Sequence, residues 1–233
     1  MDNLTLSVVI PVLNEKSSLL DLIETVNTLG AEQVVIVDGG SVDGTYEWLE
    51  EHWQTINNEF VLLQAPAGRS SQMNHGAAVS SGDIILFLHA DTKLPKSSKQ
   101  EILLARQKKL LWGRFDVSFS DNNFAMSVIA FFINTRSKWT AIATGDQAIF
   151  VDANLFNLVK GFADVPLMED VDISKKLKQY CRPYCSTLKV QTSARRWQKN
   201  GVIKTVLQMW LYRAAFFFGF SVDRLARSYR NIR

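Results

Sequence analysis

Ile84-Ile85-Leu86-Phe87-Leu88-His89-Ala90-Asp91-Thr92-Lys93-Leu94-Pro95 passes from large apolar side chains straight into a polar cluster and is stopped by a proline. Such a run predicts a strand buried on both faces that delivers one carboxylate, Asp91, to the edge of a sheet. Ligands of open α/β sheets collect just outside the carboxyl ends of the strands. Asp91 is therefore a candidate ligand-binding group, although alone it serves equally well as the cap of a turn or helix.

The residues upstream repeat the pattern. Leu6-Ser7-Val8-Val9-Ile10-Pro11-Val12 is a β-rich run, and Leu19, Leu20, Ile23, Val26 and Leu29 then recur at helical spacing up to Gly30. Val34-Val35-Ile36-Val37 predicts a second buried strand, which runs into Asp38-Gly39-Gly40-Ser41-Val42-Asp43-Gly44-Thr45. A helix carrying Tyr46, Trp48, Leu49 and Trp53 follows, then a strand at Phe60–Leu63, the loop Pro66–Ser71 and a helix through Met73 and Ala77. Strand and helix alternate as in an α/β fold with a mostly parallel central sheet and helices on both faces. The strand ends after Val12, Val37, Leu63 and Leu88 then share one edge, where Asn14, Asp38, Arg69 and Asp91 converge.

That set of side chains suits a nucleotide diphosphate. Asp38 can accept hydrogen bonds from a base or ribose, and the glycines after it, Gly40 among them, let a ligand lie against backbone. Arg69 offers a fixed positive charge to a phosphate, and Asp91 can hold a hard divalent cation that also grips phosphate oxygens. Each also has an ordinary use, as a turn residue or a surface charge. The Gly-x-x-x-x-Gly-Lys-Ser/Thr loop and a Gly-x-Gly-x-x-Gly after the first strand are both missing, which excludes the ATPase and dehydrogenase modes of holding phosphate.

The segments Val9–Glu15 (Val-Ile-Pro-Val-Leu-Asn-Glu), Val35–Thr45 and Leu86–Asp91 resemble the nucleotide-side motifs of family 2 glycosyltransferases, which have the GT-A fold. The chain is similar to a bacterial subgroup of short members with His-Ala-Asp in place of Asp-x-Asp. The resemblance implies transfer of a sugar from a UDP- or GDP-linked donor, with inversion at the anomeric carbon. It implies that Asp38 contacts the base, that Pro11 and Asn14 line its pocket, and that Arg69 lies near the nucleotide. By the same resemblance Glu15, Gly40, His89 and Ala90 are expected to complete the nucleotide-binding set, and Asp91 to be the ligand of Mg²⁺ or Mn²⁺ bridging the diphosphate. His89 replaces the first Asp of the motif and removes one charge; a neutral imidazole can hydrogen-bond ribose or phosphate, or ligate Mn²⁺.

Beyond Pro95 the expectations turn to the acceptor. Lys96–Leu111 predicts an amphipathic helix, Trp112–Phe119 a strand, Phe124–Ile133 an apolar helix and Thr144–Val151 a further strand. By resemblance, Asp146 and Gln147 at its entrance are candidate sugar or acceptor contacts. Glu169-Asp170 resembles the family's Glu-Asp pair, with Asp170 as general base and Glu169 supporting it; as plain chemistry, carboxylates at a helix start are also stabilised by the helix dipole. Ser193-Ala194-Arg195-Arg196-Trp197 is similar to a signature of processive members but begins with serine, so Arg196 and Trp197 are candidate diphosphate or sugar contacts without implying polymer synthesis.

Length and composition bound the rest. The chain has 233 residues, 47% hydrophobic, and carries a net charge of +3, too small to argue for nucleic acid. Cys181 and Cys185 lack the Cys/His partners of a zinc site, and no signal peptide is recognisable, so the expected location is cytoplasmic. Residues 1–201 form the expected glycosyltransferase domain, with a nucleotide half to about residue 95 and an acceptor half from about 96. Residues 202–233 are an apolar then basic extension. It suits either peripheral contact with the inner face of a membrane, or packing on the domain or in a homodimer. A catalytically silent module that binds nucleotide or membrane is the alternative from another class.

Overall fold

The computed structural model describes residues 4–121, 123–195, 197 and 201–217. The first half holds β1 (Leu6–Val12), α1 (Leu19–Leu29), β2 (Gln33–Asp38), α2 (Thr45–His52), β3 (Glu59–Gln64), α3 (Arg69–Ala78) and β4 (Ile84–Phe87). The second half adds β5 (Thr92–Lys93), α4 (Ser98–Gln107), β6 (Trp112–Phe119), α5 (Phe124–Thr140) and β7 (Phe150–Asp152). After these come α6 (Ala153–Leu158), α7 (Glu169–Leu177), β8 (Tyr184–Thr192) and α8 (Val202–Phe217).

The strands form one sheet in the order β3-β2-β1-β4-β7-β6-β8-β5. Strands β1 to β4 pair in parallel, as the alternation of strand and helix predicts. The far side is mixed, so the sheet is mostly parallel, as expected, without being purely so. Strand β7 runs antiparallel to both β4 and β6, and β5 antiparallel to β8, while β6 and β8 pair in parallel. Two features of the sequence conceal this. The stretch expected as one strand from Thr144 begins as a 3-10 turn, Gly145–Gln147, leaving only Phe150–Asp152 extended. Strand β8 lies outside the expectations, because its inward positions Ser186 and Thr192 are polar and the apolar alternation shrinks to Leu188 and Val190.

Alternate side chains of the strands feed two apolar layers. Leu6, Val8, Ile10 and Val12 of β1 face a core shared with α1, α4 and α5, whereas Val9, Val35 and Val37 face one shared with α3, α6 and α7. Helices thus cover both faces, as expected. Helix α3 binds the ends of two strands at once: Gln72 Nε2 donates 2.8 Å hydrogen bonds to the carbonyls of Val12 and Val37. One turn on, Gly76 is buried against the sheet, and a Cβ there would lie 2.4 Å from Val9 Cγ1. The C-terminal helix α8 is docked as well, with Tyr212 and Phe216 packed on Met168, Val171 and Ile142. No helix among the described residues is long and apolar enough to cross a membrane.

Overpacking at the contact between α3 and the sheet is costly because both backbones are held by hydrogen bonds. Gly76→Ala is expected to destabilise the fold by about 1–3 kcal/mol, read from the denaturant midpoint at unchanged slope.

Candidate functional site

The loops after β1 and β2 are stitched together before any ligand is considered. Asn14 adopts a left-handed conformation (φ 56°), which asparagine tolerates better than most residues. Its amide donates to Ser41 Oγ (2.9 Å) and its side-chain oxygen accepts from the Val42 amide (2.9 Å). The next amide, of Glu15, donates to Thr45 Oγ1. Asp38 is wholly buried, and its carboxylate accepts from the amides of Gly40 (2.8 Å) and Ser41 (3.0 Å) and from the Ser41 hydroxyl. In this structure Asp38 shapes the loop, while Gly40 (φ 86°) stands exposed at its tip. Pro11, half-buried, lies one residue before the end of β1.

At the end of β4, His89 and Ala90 are buried and Asp91 is only partly so. Arg195, just beyond β8, places Nη2 3.8 Å from Asp91 Oδ2 and 3.4 Å from Glu15 Oε2. His89 reaches the opposite wall. Its Nδ1 lies 3.3 Å from Asp146 Oδ1, and the ring packs so closely on Gly145 that a Cβ there would come within 2.7 Å of it. The Gly145 amide in turn donates to Asp170 Oδ2 at 3.0 Å. A short relay of contacts therefore joins the end of β4 to the first turn of α7.

Glu169 and Asp170 open α7, preceded by Met168 in a left-handed conformation (φ 68°) that an unbranched side chain other than Asn or Gly seldom adopts. Glu169 is buried. Burial, with the neighbouring Asp170 charge second, pushes its carboxyl above the usual range, against the opposing pull of Arg69 and His89.

A single cavity of about 1240 Å³ brings most of these groups together. Asn14, Glu15, Arg69 and Asp91 line one part, and Asp146, Glu169 and Asp170 another. Trp197 also lines it, set edge-on to Phe119 at 5.7 Å. Gln147 does not line it. It is wholly buried, accepts from the Thr144 amide (3.1 Å) and braces the 3-10 turn, so the turn explanation prevails over a sugar contact. Arg196 lies outside the described residues.

Two contributions to the cavity escaped the sequence-based expectations. Helices α5 and α8 form its apolar wall, and each sets one arginine in it, Arg136 and Arg213. The available signal was weak: an arginine within each of two otherwise apolar helical runs. The consequence is that residues 202–217 are part of the site rather than an appendage to it.

Among the described residues no group of three His, Cys, Asp or Glu side chains is arranged to hold a metal by itself. A lone carboxylate at the cavity edge, Asp91, instead fits a hard cation that takes the rest of its shell from phosphate oxygens and water, the usual manner of Mg²⁺ at nucleotide sites.

Comparison with known proteins gives the family and the fold. The model of glycosyl transferase family 2 matches residues 7–157. The structure of S. aureus TarS 1-349 in complex with UDP-GlcNAc superposes with a TM-score of 0.63 at 16% identity, over 81% of this chain and 58% of that one. A mannosyltransferase, PcManGT from Pyrobaculum calidifontis, solved with GDP-Man and Mn²⁺, gives 0.63 at 17% identity, over 91% and 61%. The chain spans about three-fifths of the length of these relatives, and the shared fold is GT-A.

The buried carboxyl gives a pH signature. Its folded pKa lies above the unfolded one, so between the two the unfolded chain has lost a proton that the native state keeps, and stability falls as pH rises. Glu169→Gln is therefore expected to raise the thermal midpoint relative to the parent protein at pH 7, with the difference closing below the ordinary glutamate value of 4.5. Melting curves across that range check it.

Proposed function

The chain belongs to glycosyl transferase family 2, and we propose that it transfers a sugar from a nucleotide diphosphate sugar to an acceptor hydroxyl in one inverting displacement. The observation that carries this reading is that Asp91 and Asp170 line one cavity, beside the two cross-linked loops after β1 and β2. In this reading residues 1–95 supply the nucleotide side and residues 96–201 most of the acceptor side, with 202–217 completing the wall. The TarS and PcManGT complexes favour a UDP- or GDP-linked donor.

The roles follow from position. Asn14, Glu15 and the Gly40 loop bound the nucleoside, with Asp38 and Pro11 fixing the loop geometry from behind. Arg69 and Arg195 supply positive charge for the phosphates. Asp91 would hold Mg²⁺ or Mn²⁺, which supplies Lewis-acid neutralisation of the leaving diphosphate. Asp170 takes the acceptor proton, its carboxylate aimed by the Gly145 amide. Glu169, buried behind it, keeps a second negative charge away from the acceptor. His89 and Ala90 form the floor beneath the diphosphate, and His89 positions Asp146 at the sugar. Trp197 offers a face for sugar stacking.

The apolar outer surface of α5 and α8, with Trp139 79% and Leu211 65% exposed, supports peripheral contact with a membrane, which for the cytoplasmic protein of this reading is the inner face. Flotation with anionic liposomes is the check, and a protein that stays wholly at the bottom of the gradient removes that location.

Nucleoside diphosphate release from a panel of UDP- and GDP-sugars with Mg²⁺ or Mn²⁺ tests the main reading. Asp170→Asn is expected to lower turnover by about 10²–10⁴-fold while leaving nucleotide binding intact. Asp91→Ala is expected to abolish the response to metal. His89→Ala is expected to slow turnover at an unchanged metal optimum, because the imidazole acts through Asp146 and Gly145. Absence of release with every donor, together with metal-independent nucleotide binding, would favour a silent binding module.

A further inference from the structure

The wall contributed by α5 and α8 is apolar well beyond what a donor sugar requires. Val128, Ile129, Phe132, Val206 and Met209 line it, and it continues the cavity away from Asp91. A nucleotide and a hexose, both rich in hydroxyls, would leave such a wall unpaired with anything of its own kind. Its natural occupant is a hydrocarbon chain.

Set into the same wall are two cations, one from each helix. Arg136 Nε and Nη2 and Arg213 Nε are buried without a hydrogen-bond partner. The two guanidiniums also repel each other, and burial with that repulsion brings Arg136 down to about 10. Asp170 and Asp146 are the nearby groups that oppose this, and both belong to the reaction centre. Unmet guanidinium donors are costly in a desolvated place, and a phosphate presents acceptor oxygens in the geometry that they match. Arg69 and Arg195 come from the segments beside the nucleotide loops, whereas Arg136 and Arg213 come from the two helices of the apolar wall.

We propose that Arg136 and Arg213 form an anion subsite for the acceptor. The acceptor is an amphiphile whose hydrocarbon chain lies between α5 and α8 and whose phosphate ester sits at the arginine pair. This rests on the sugar-transfer reading above and names its acceptor class. The charge of the subsite is complementary to the head group, and the apolar wall to the tail. In the reaction the acceptor hydroxyl gives its proton to Asp170, and its oxygen forms the bond to the anomeric carbon. The bond from that carbon to the diphosphate breaks, and the nucleoside diphosphate leaves with the electron pair. Exposed apolar side chains of the same two helices, among them Phe131, Leu207 and Leu211, suit delivery of this acceptor from a lipid surface.

The test is calorimetric and needs no turnover. Decyl phosphate below its micelle concentration, decanol, inorganic phosphate and UDP or GDP are titrated into the full chain and into Arg136→Gln, Arg213→Gln and Arg213→Lys. Decyl phosphate is expected to bind at least about tenfold more tightly than decanol or inorganic phosphate, and each Gln variant to lose about tenfold for decyl phosphate alone. Arg213→Lys is expected to retain part of that affinity, and an unchanged cooperative thermal unfolding transition in each variant reports that it is folded. Equal affinity for decanol reduces the site to an apolar trough and overturns the inference, and equal affinity for inorganic phosphate reduces it to an anion site with the same result. A parallel loss of nucleotide binding in the folded Gln variants assigns the arginines to the donor, which also overturns it. Tight, arginine-dependent decyl phosphate binding without any nucleotide binding would remove the sugar-transfer reading while leaving the amphiphile site in place.

Discussion

The antiparallel pairing of β7 with β4 is the constraint on which the site depends. Ile85 pairs with Val151 and Leu86 with Phe150, and the Phe87 amide donates to the Ile149 carbonyl at 2.8 Å. This register fixes the Gly145–Gln147 turn beside the end of β4. His89 can then pack on Gly145 and approach Asp146, and Gly145 can donate to Asp170. Slipping the pairing by one residue would turn β7 over and break every one of these contacts. Asp146 and Asp170 thus owe their placement beside the end of β4 to a strand of three residues.

Around that pairing the molecule separates rigid support from reactive surface. Asp38, Gln147 and Gln72 are buried polar groups whose hydrogen bonds go to loops and strand ends, so they hold the cavity's shape without entering it. Glu169, left-handed Met168 and the unpaired guanidinium donors are different. They cost stability where they stand, and they gather at one place, which is how structures commonly distribute strain around a reaction centre. The apolar layers on both faces of the sheet, with fully buried residues from Leu6 to Leu177, supply the surplus that tolerates them.

The C-terminal helix joins these themes. Tyr212 and Phe216 anchor it on the residues that lead into α7, and its other side completes the cavity. A helix held in this way ties whatever occupies the apolar wall to the position of Asp170.

Much of the nucleotide side was legible in the chain alone. Period and composition placed strands at Leu6, Val34, Phe60 and Ile84, and parallel connectivity then required Asn14, Asp38, Arg69 and Asp91 to converge; Asn14, Arg69 and Asp91 line one cavity, while Asp38 is buried behind its loop. Glu169 and Asp170 were legible as carboxylates opening a helix. Contacts between distant, individually unremarkable segments were not. The small polar interior of β8 hid a strand, the Gly145 turn passed for part of one, and Gln147 looked available until its burial was seen. Arg136 and Arg213 carried only the weak signal of an arginine in a largely apolar helical run. Local sequence determines which elements form and which groups end them, because that is a matter of periodicity and turn chemistry. Only the tertiary structure decided what faces Asp170 across the cavity, because that depends on register and on the packing of α8, which no single segment encodes.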